Sequence, residues 1–149
     1  MVALADKPTT LPESPTTPAT DLVGFLTPEG LKALNERLVA YENRTKHQLW
    51  VWIGKTAGPV PHAEFCHVTF NAWGVGRKGV DDGVVLFIFA EQGWWHITVG
   101  YGLEKSITDA EAARIATHAP RPGLAVGDKD QAVNDAVSAI VAEIAKGKK

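Results

Sequence analysis

Two adjacent carboxylates, Asp81 and Asp82, carry the most chemistry per residue in this sequence. Held side by side they repel unless something positive relieves the repulsion, and a bound hard cation is one such relief. Calcium and magnesium take carboxylate, carbonyl and water oxygens, so Asp81, Asp82 and Asp109 with nearby main-chain carbonyls would make a sufficient ligand set. Turn chemistry explains the same residues without a ligand: Asp-Gly is a common turn pair, and the dipole stabilises a carboxylate such as Asp109 in the first turn of a helix. Tyr101, between Gly100 and Gly102, either presents its hydroxyl to such a pocket or closes a hairpin end over the core. Glu104 is either an outer group of the pocket or an exposed loop charge.

Other patterns lead away from familiar chemistries. The run Gly74 to Gly79 matches the dinucleotide fingerprint letter by letter, yet a helix precedes it and a strand follows, the reverse of what a pyrophosphate site needs. No nucleotide is expected. The five histidines, His47, His62, His67, His96 and His118, show no metalloprotease spacing, so a zinc site has no support. His96 reads as a satisfied surface histidine. Cys66 is the sole cysteine, which rules out an internal disulfide and reads as a small buried hydrophobe. Fifteen Lys and Arg against seventeen Asp and Glu leave a net charge of -2, with no basic surplus for a phosphate backbone. Nucleic acid is not an expected partner.

The elements that must position these residues follow from periodicity. A length of 149 residues fits one domain. Residues 1–20, rich in Pro and Thr, read as a linker or tether, with an extended strap along the domain as the alternative; the domain proper is expected over 21–146. Thr27-Pro28 starts a helix to about residue 43 carrying Leu31, Leu34, Leu38 and Tyr41 on one stripe. Gln48 to Lys55 alternates Leu49, Val51 and Ile53 with Trp50 and Trp52, a strand covered on both faces. A helix follows Pro61, then a buried strand from Val84 to Phe89, a turn at Gln92-Gly93, and an antiparallel strand from Trp94 to Val99 that sends Trp94 and Trp95 to opposite faces. The capping box Thr108 to Glu111 opens a third helix ending before Pro120, and a last helix spans about 128 to 145.

That order predicts an α/β fold: a three-layer α/β/α sandwich with a mixed, mostly parallel sheet and one antiparallel hairpin strand. A right-handed crossover makes the strands at 48 and 84 start at one sheet edge, and the hairpin strand returns to it. The end of that strand should therefore lie beside the acidic loop, with Asp109 a short step beyond.

Taken together, Phe70 to Gly76, Asp81 to Leu86, Ile97 to Glu104 and Thr108-Asp109 resemble the TPM domain family, over roughly Asp21 to Ile144. The resemblance implies a usually exported or membrane-tethered sandwich that binds a divalent cation, calcium as the usual expectation and magnesium as the alternative. The family's acidic positions fall on Asp81, Asp82 and Asp109. A periplasmic or extracytoplasmic location, an envelope or membrane protein as partner and a monomeric state are the matching expectations. Lys105 stands where family members often carry Gly, and Pro120 to Leu124 follows the family's loop pattern loosely.

Two functions compete at this stage. One is a non-enzymatic module whose acidic pocket takes up a cation and helps it dock another protein. The other is a metal-dependent acid phosphatase acting on phosphomonoesters, an activity attributed to plant members, with Asp81 or Asp82 as ligand or nucleophile. For the second, only His47 is placed near the acidic loop as a general acid.

Overall fold

The computed structural model describes residues 12–75, 82–103 and 106–147; Asp81, Glu104 and Lys105 fall outside these, as does the side chain of Tyr101. Among the described residues ten elements follow one another: β1 (Ala19–Asp21), α1 (Pro28–Thr45), β2 (Gln48–Gly54), α2 (His62–Trp73), β3 (Gly83–Phe89), β4 (Trp94–Val99), a 3-10 turn (Tyr101–Leu103), α3 (Asp109–His118), α4 (Arg121–Ala125) and α5 (Lys129–Gly147).

Local chemistry sets the helix ends. The Thr27 hydroxyl accepts from the Gly30 amide at 2.9 Å and Pro28 occupies the first turn, where its missing N–H costs nothing. Lys46 ends α1 in the left-handed region at φ 71, its N–H donating to the Glu42 carbonyl at 2.7 Å. At α3 the predicted capping box is complete: the Glu111 amide donates to Thr108 Oγ1 at 3.2 Å, and the Thr108 amide donates to Glu111 Oε1 at 3.0 Å.

The sheet order is β1-β2-β3-β4, with the first three strands parallel and β4 antiparallel to β3. Side-chain alternation divides the interior into two layers. Leu49, Val51, Ile53, Val84, Leu86, Ile88 and Ile97 meet the apolar stripes of α1, α3 and α5 on one face. Trp52, Val85, Phe87 and Phe89 meet Phe65, Cys66 and Phe70 of α2 on the other, with Trp50, Trp73 and Trp94 at the margin. Every residue of β3 is buried. This is the expected α/β sandwich, and Trp94 and Trp95 join opposite layers as the alternation requires.

Two elements correct the sequence reading. The tether expected to end at residue 20 does not: Ala19 and Thr20 belong to β1, parallel to β2, and the boundary falls inside the strand. Three residues flanked by Pro and Thr give no periodicity to read, and their order comes from tertiary bonds. The Val51 amide donates to the Pro18 carbonyl at 2.8 Å and the Leu22 amide to the Ile53 carbonyl at 2.9 Å. On the outer side, the Asn35 amide accepts from Ala19 N at 2.8 Å and donates to Ala19 O at 3.1 Å, so one side chain occupies the strand edge another chain would pair with. Trp73 Nε1 donates to the Pro12 carbonyl at 3.0 Å, which ties the start of the described chain against α2.

The second correction is α4, read as a loop because Pro120 and Pro122 dominate it. Both prolines stand at its start, where helices tolerate them. α4 packs so closely on α5 that a Cβ at Gly123 would stand 2.6 Å from Ala132 N and 2.9 Å from Asp128 O. Those neighbours are backbone and cannot rotate away. Gly123→Ala is therefore expected to cost about 1–3 kcal/mol, read as a lower urea midpoint at unchanged slope; an unchanged midpoint would show that α4 shifts freely.

Candidate functional site

Parallel pairing of Gln48 with Gly83 places the starts of β2 and β3 at one sheet edge. The hairpin brings β4 back to that edge, where the Gly100 amide donates to the Gly83 carbonyl at 2.8 Å. The 3-10 turn then folds the chain over: the Leu103 carbonyl accepts from Ser106 and Ile107, each at 2.9 Å, and Thr108, two residues after Ser106, caps α3. The hairpin end therefore lies beside the start of β3, as the topology predicts, while residues 79–81 of the acidic loop fall outside the described residues.

Of the sequence-derived site residues, Asp82 precedes β3 and is buried, with 2% of its surface exposed. Asp109 is the first residue of α3 and is exposed. Asp81 and Glu104 lie outside the described residues, and Tyr101 opens the 3-10 turn. Among the described residues no group of three or more His, Cys, Asp or Glu is assembled to hold a metal ion. Asp82 and Asp109 are hard oxygen donors of the kind calcium or magnesium takes, and a full cation site at this edge needs Asp81, Glu104 or main-chain carbonyls to complete it.

Sequence reasoning passed over a second feature of the same edge. Tyr41, read only as a member of the α1 stripe, places its hydroxyl 3.3 Å from His47 Nδ1, and both residues are buried. The turn between α1 and β2 fixes the pair: Thr45 Oγ1 donates to the Tyr41 carbonyl at 2.8 Å and accepts from the His47 amide at 3.1 Å. Burial pushes the Tyr41 phenol above its ordinary range, Thr45 and Arg44 oppose the shift, and the negative charge of Asp82 adds to it. The available signal was positional: His47 immediately precedes β2 as Asp82 immediately precedes β3.

Elsewhere Cys66 follows its plainer reading, whereas His96, expected as a surface histidine, does not. Cys66 is buried and its thiol is pushed far up by desolvation, as for a packing residue. His96 is half-buried against the Trp94 ring, with centroids 5.2 Å apart. A groove of about 490 Å³ beside β1 is lined by Pro12 to Thr17, Leu31, Asn35 and Trp52, and none of the candidate site residues lines it.

The environment of His96 makes stability depend on pH. Burial lowers its pKa from the ordinary 6.5, His62 adds to the lowering and Asp109 opposes it. Just below 6.5 the unfolded chain takes up a proton that folded His96 resists, so this residue's contribution falls as pH drops through that value, then levels off below the folded pKa. Urea unfolding across that range should show a shallower acid decline in His96→Gln than in the parent. Equal slopes would contradict this.

The family model of the TPM domain matches residues 19–143. The chain belongs to the TPM domain family. The match begins at β1, the strand that the composition concealed. Three solution NMR structures are similar to this TPM domain. The N-terminal domain of a protein from P. gingivalis is 25% identical with a TM-score of 0.77, over 87% of this chain and 82% of that one. BA42, from the psychrophilic bacterium Bizionia argentinensis, is 19% identical with a TM-score of 0.71, over 85% and 86%. The N-terminal domain of the cg2496 protein from Corynebacterium glutamicum is 15% identical with a TM-score of 0.63, over 100% and 90%; the last two likenesses speak to fold alone. No curated protein matches the chain.

Proposed function

We propose that this TPM domain binds a divalent cation, calcium in the first place and magnesium as the alternative, at the edge where β2 and β3 begin. Asp82, Asp81 and Asp109 are the carboxylates assigned to this site, with Tyr101 and Glu104 as its further candidate residues. The observation that carries the reading is the place of Asp82, a buried carboxylate and hard oxygen donor immediately ahead of β3, at the edge where the hairpin end returns. A cation bound there would neutralise the acidic loop and tie it to α3. In this reading the loaded domain serves as an extracytoplasmic binding or assembly module for envelope or membrane proteins. No helix among the described residues is long and apolar enough to cross a membrane.

The phosphatase alternative draws less support. His47, its one candidate general acid, is buried against Tyr41 rather than open to a substrate. Metal-stripped protein melted with calcium, magnesium or manganese tests the binding reading, since a ligand that favours the folded state must raise its stability. Equal melting temperatures throughout would overturn it. Saturable turnover of a generic phosphomonoester, lost in Asp82→Asn, would instead establish the enzyme.

A further inference from the structure

Three buried polar residues lie at the start of the parallel strands, and the charge of Asp82 is felt at the Tyr41 phenol. His47 precedes β2, Asp82 precedes β3, and the Gln48–Gly83 register sets the two side by side at the sheet edge. Tyr41 reaches the same place from α1, its hydroxyl 3.3 Å from His47 Nδ1. Neither His47 nor Asp82 is without a partner. Their neighbours in sequence that belong to this layer, Leu38, Leu49, Val84 and Val99, are aliphatic. Buried polar groups in such surroundings persist when they satisfy one another, and a satisfied network holds each member in one orientation.

We propose that Tyr41 and His47 are positioning residues for Asp82, holding its carboxylate in a single rotamer at the sheet edge so that it meets a divalent cation without reorganising. The proposal rests on the cation-binding reading and deepens it, by naming the groups behind the ligand. The turn at Thr45 to His47 is built for this task. Lys46 takes a left-handed conformation, and Thr45 Oγ1 bonds the backbone on both sides, so the His47 ring enters the interior in one direction. Groups standing behind a ligand usually change metal affinity about 10–100-fold when removed, while the ligand itself stays in place.

Tyr41→Phe removes only the hydroxyl and keeps the ring in its packing; His47→Gln keeps a donor and an acceptor, and His47→Leu keeps neither. Two measurements on the full chain separate this proposal from the reading beneath it. The first uses no cation: side-chain coupling constants of Asp82 report its χ1 rotamer. One rotamer in the parent and averaging in Tyr41→Phe and His47→Leu is expected, with His47→Gln nearer the parent. A single unchanged rotamer in every variant would overturn the positioning role, whatever the protein binds. The second is calorimetric titration with calcium chloride. Tyr41→Phe should bind about tenfold or more weakly while its cation-free melting temperature stays close to the parent's. Parental affinity in both Tyr41→Phe and His47→Leu would overturn the proposal and leave the site standing. No binding by the parent itself would overturn both.

Discussion

Phe87→Ala is expected to cost about 3–5 kcal/mol, the upper range for a single core truncation. Phe87 is fully buried at the centre of β3, and three rings converge on it from other elements. Trp73 stacks on it at 5.8 Å, while Trp52 and Phe65 meet it edge-on at 6.0 Å and 6.4 Å. Among the described residues α2 is the one helix of this layer, so an emptied ring volume has few neighbours that can move in. The same rings explain why the layer resists refilling: a Cβ at Gly54 would enter the indole of Trp52. Urea unfolding should show the loss at an unchanged slope. Val126→Ala, at a residue with 78% exposure, should stay within about 0.5 kcal/mol. A Phe87→Ala loss below about 1 kcal/mol would mean that the aromatic layer repacks freely, contrary to the architecture described here.

The second large effect concerns the cation. At a free calcium concentration of about one hundred times the dissociation constant, linkage raises the stability of the folded parent by about 2.7 kcal/mol. Asp82→Asn should abolish that gain, because the amide keeps the shape of the side chain and removes the charge that a hard cation requires. Asp109→Asn should diminish it, Asp109 being an exposed carboxylate at the first position of α3. Removing that charge also costs a few tenths of a kcal/mol of helix-dipole stabilisation with or without metal, so the comparison belongs to the calcium-induced change rather than to absolute stability. Melting curves with and without calcium for the parent and both variants supply it. An equal calcium-induced gain in the parent and Asp82→Asn would place the ion elsewhere.

What could be read from the residues themselves was whatever periodicity and local chemistry encode. The alternation of Leu49, Val51 and Ile53 with Trp50 and Trp52 already specified a strand packed on both faces, and the structure puts those two sets in separate layers. Thr27-Pro28 and Thr108 to Glu111 marked helix starts because a cap acts within three residues. β1 escaped detection since its order comes from Asn35 and from β2, partners sixteen and more residues away. α4 escaped because proline ends more helices than it begins. At the site, the meeting of the hairpin end with the start of β3 followed from strand direction alone and is seen in the Gly100–Gly83 hydrogen bond. The Tyr41–His47 contact did not follow, because it depends on the left-handed turn at Lys46, which no glycine announced.

Calorimetric titration of calcium into metal-stripped protein tests the central claim most directly. Saturable binding at one site per chain is expected, weaker with magnesium, and lost in Asp82→Asn with the fold intact by circular dichroism. Absence of any binding heat at several temperatures, together with an unaltered melting temperature at high calcium, would contradict it.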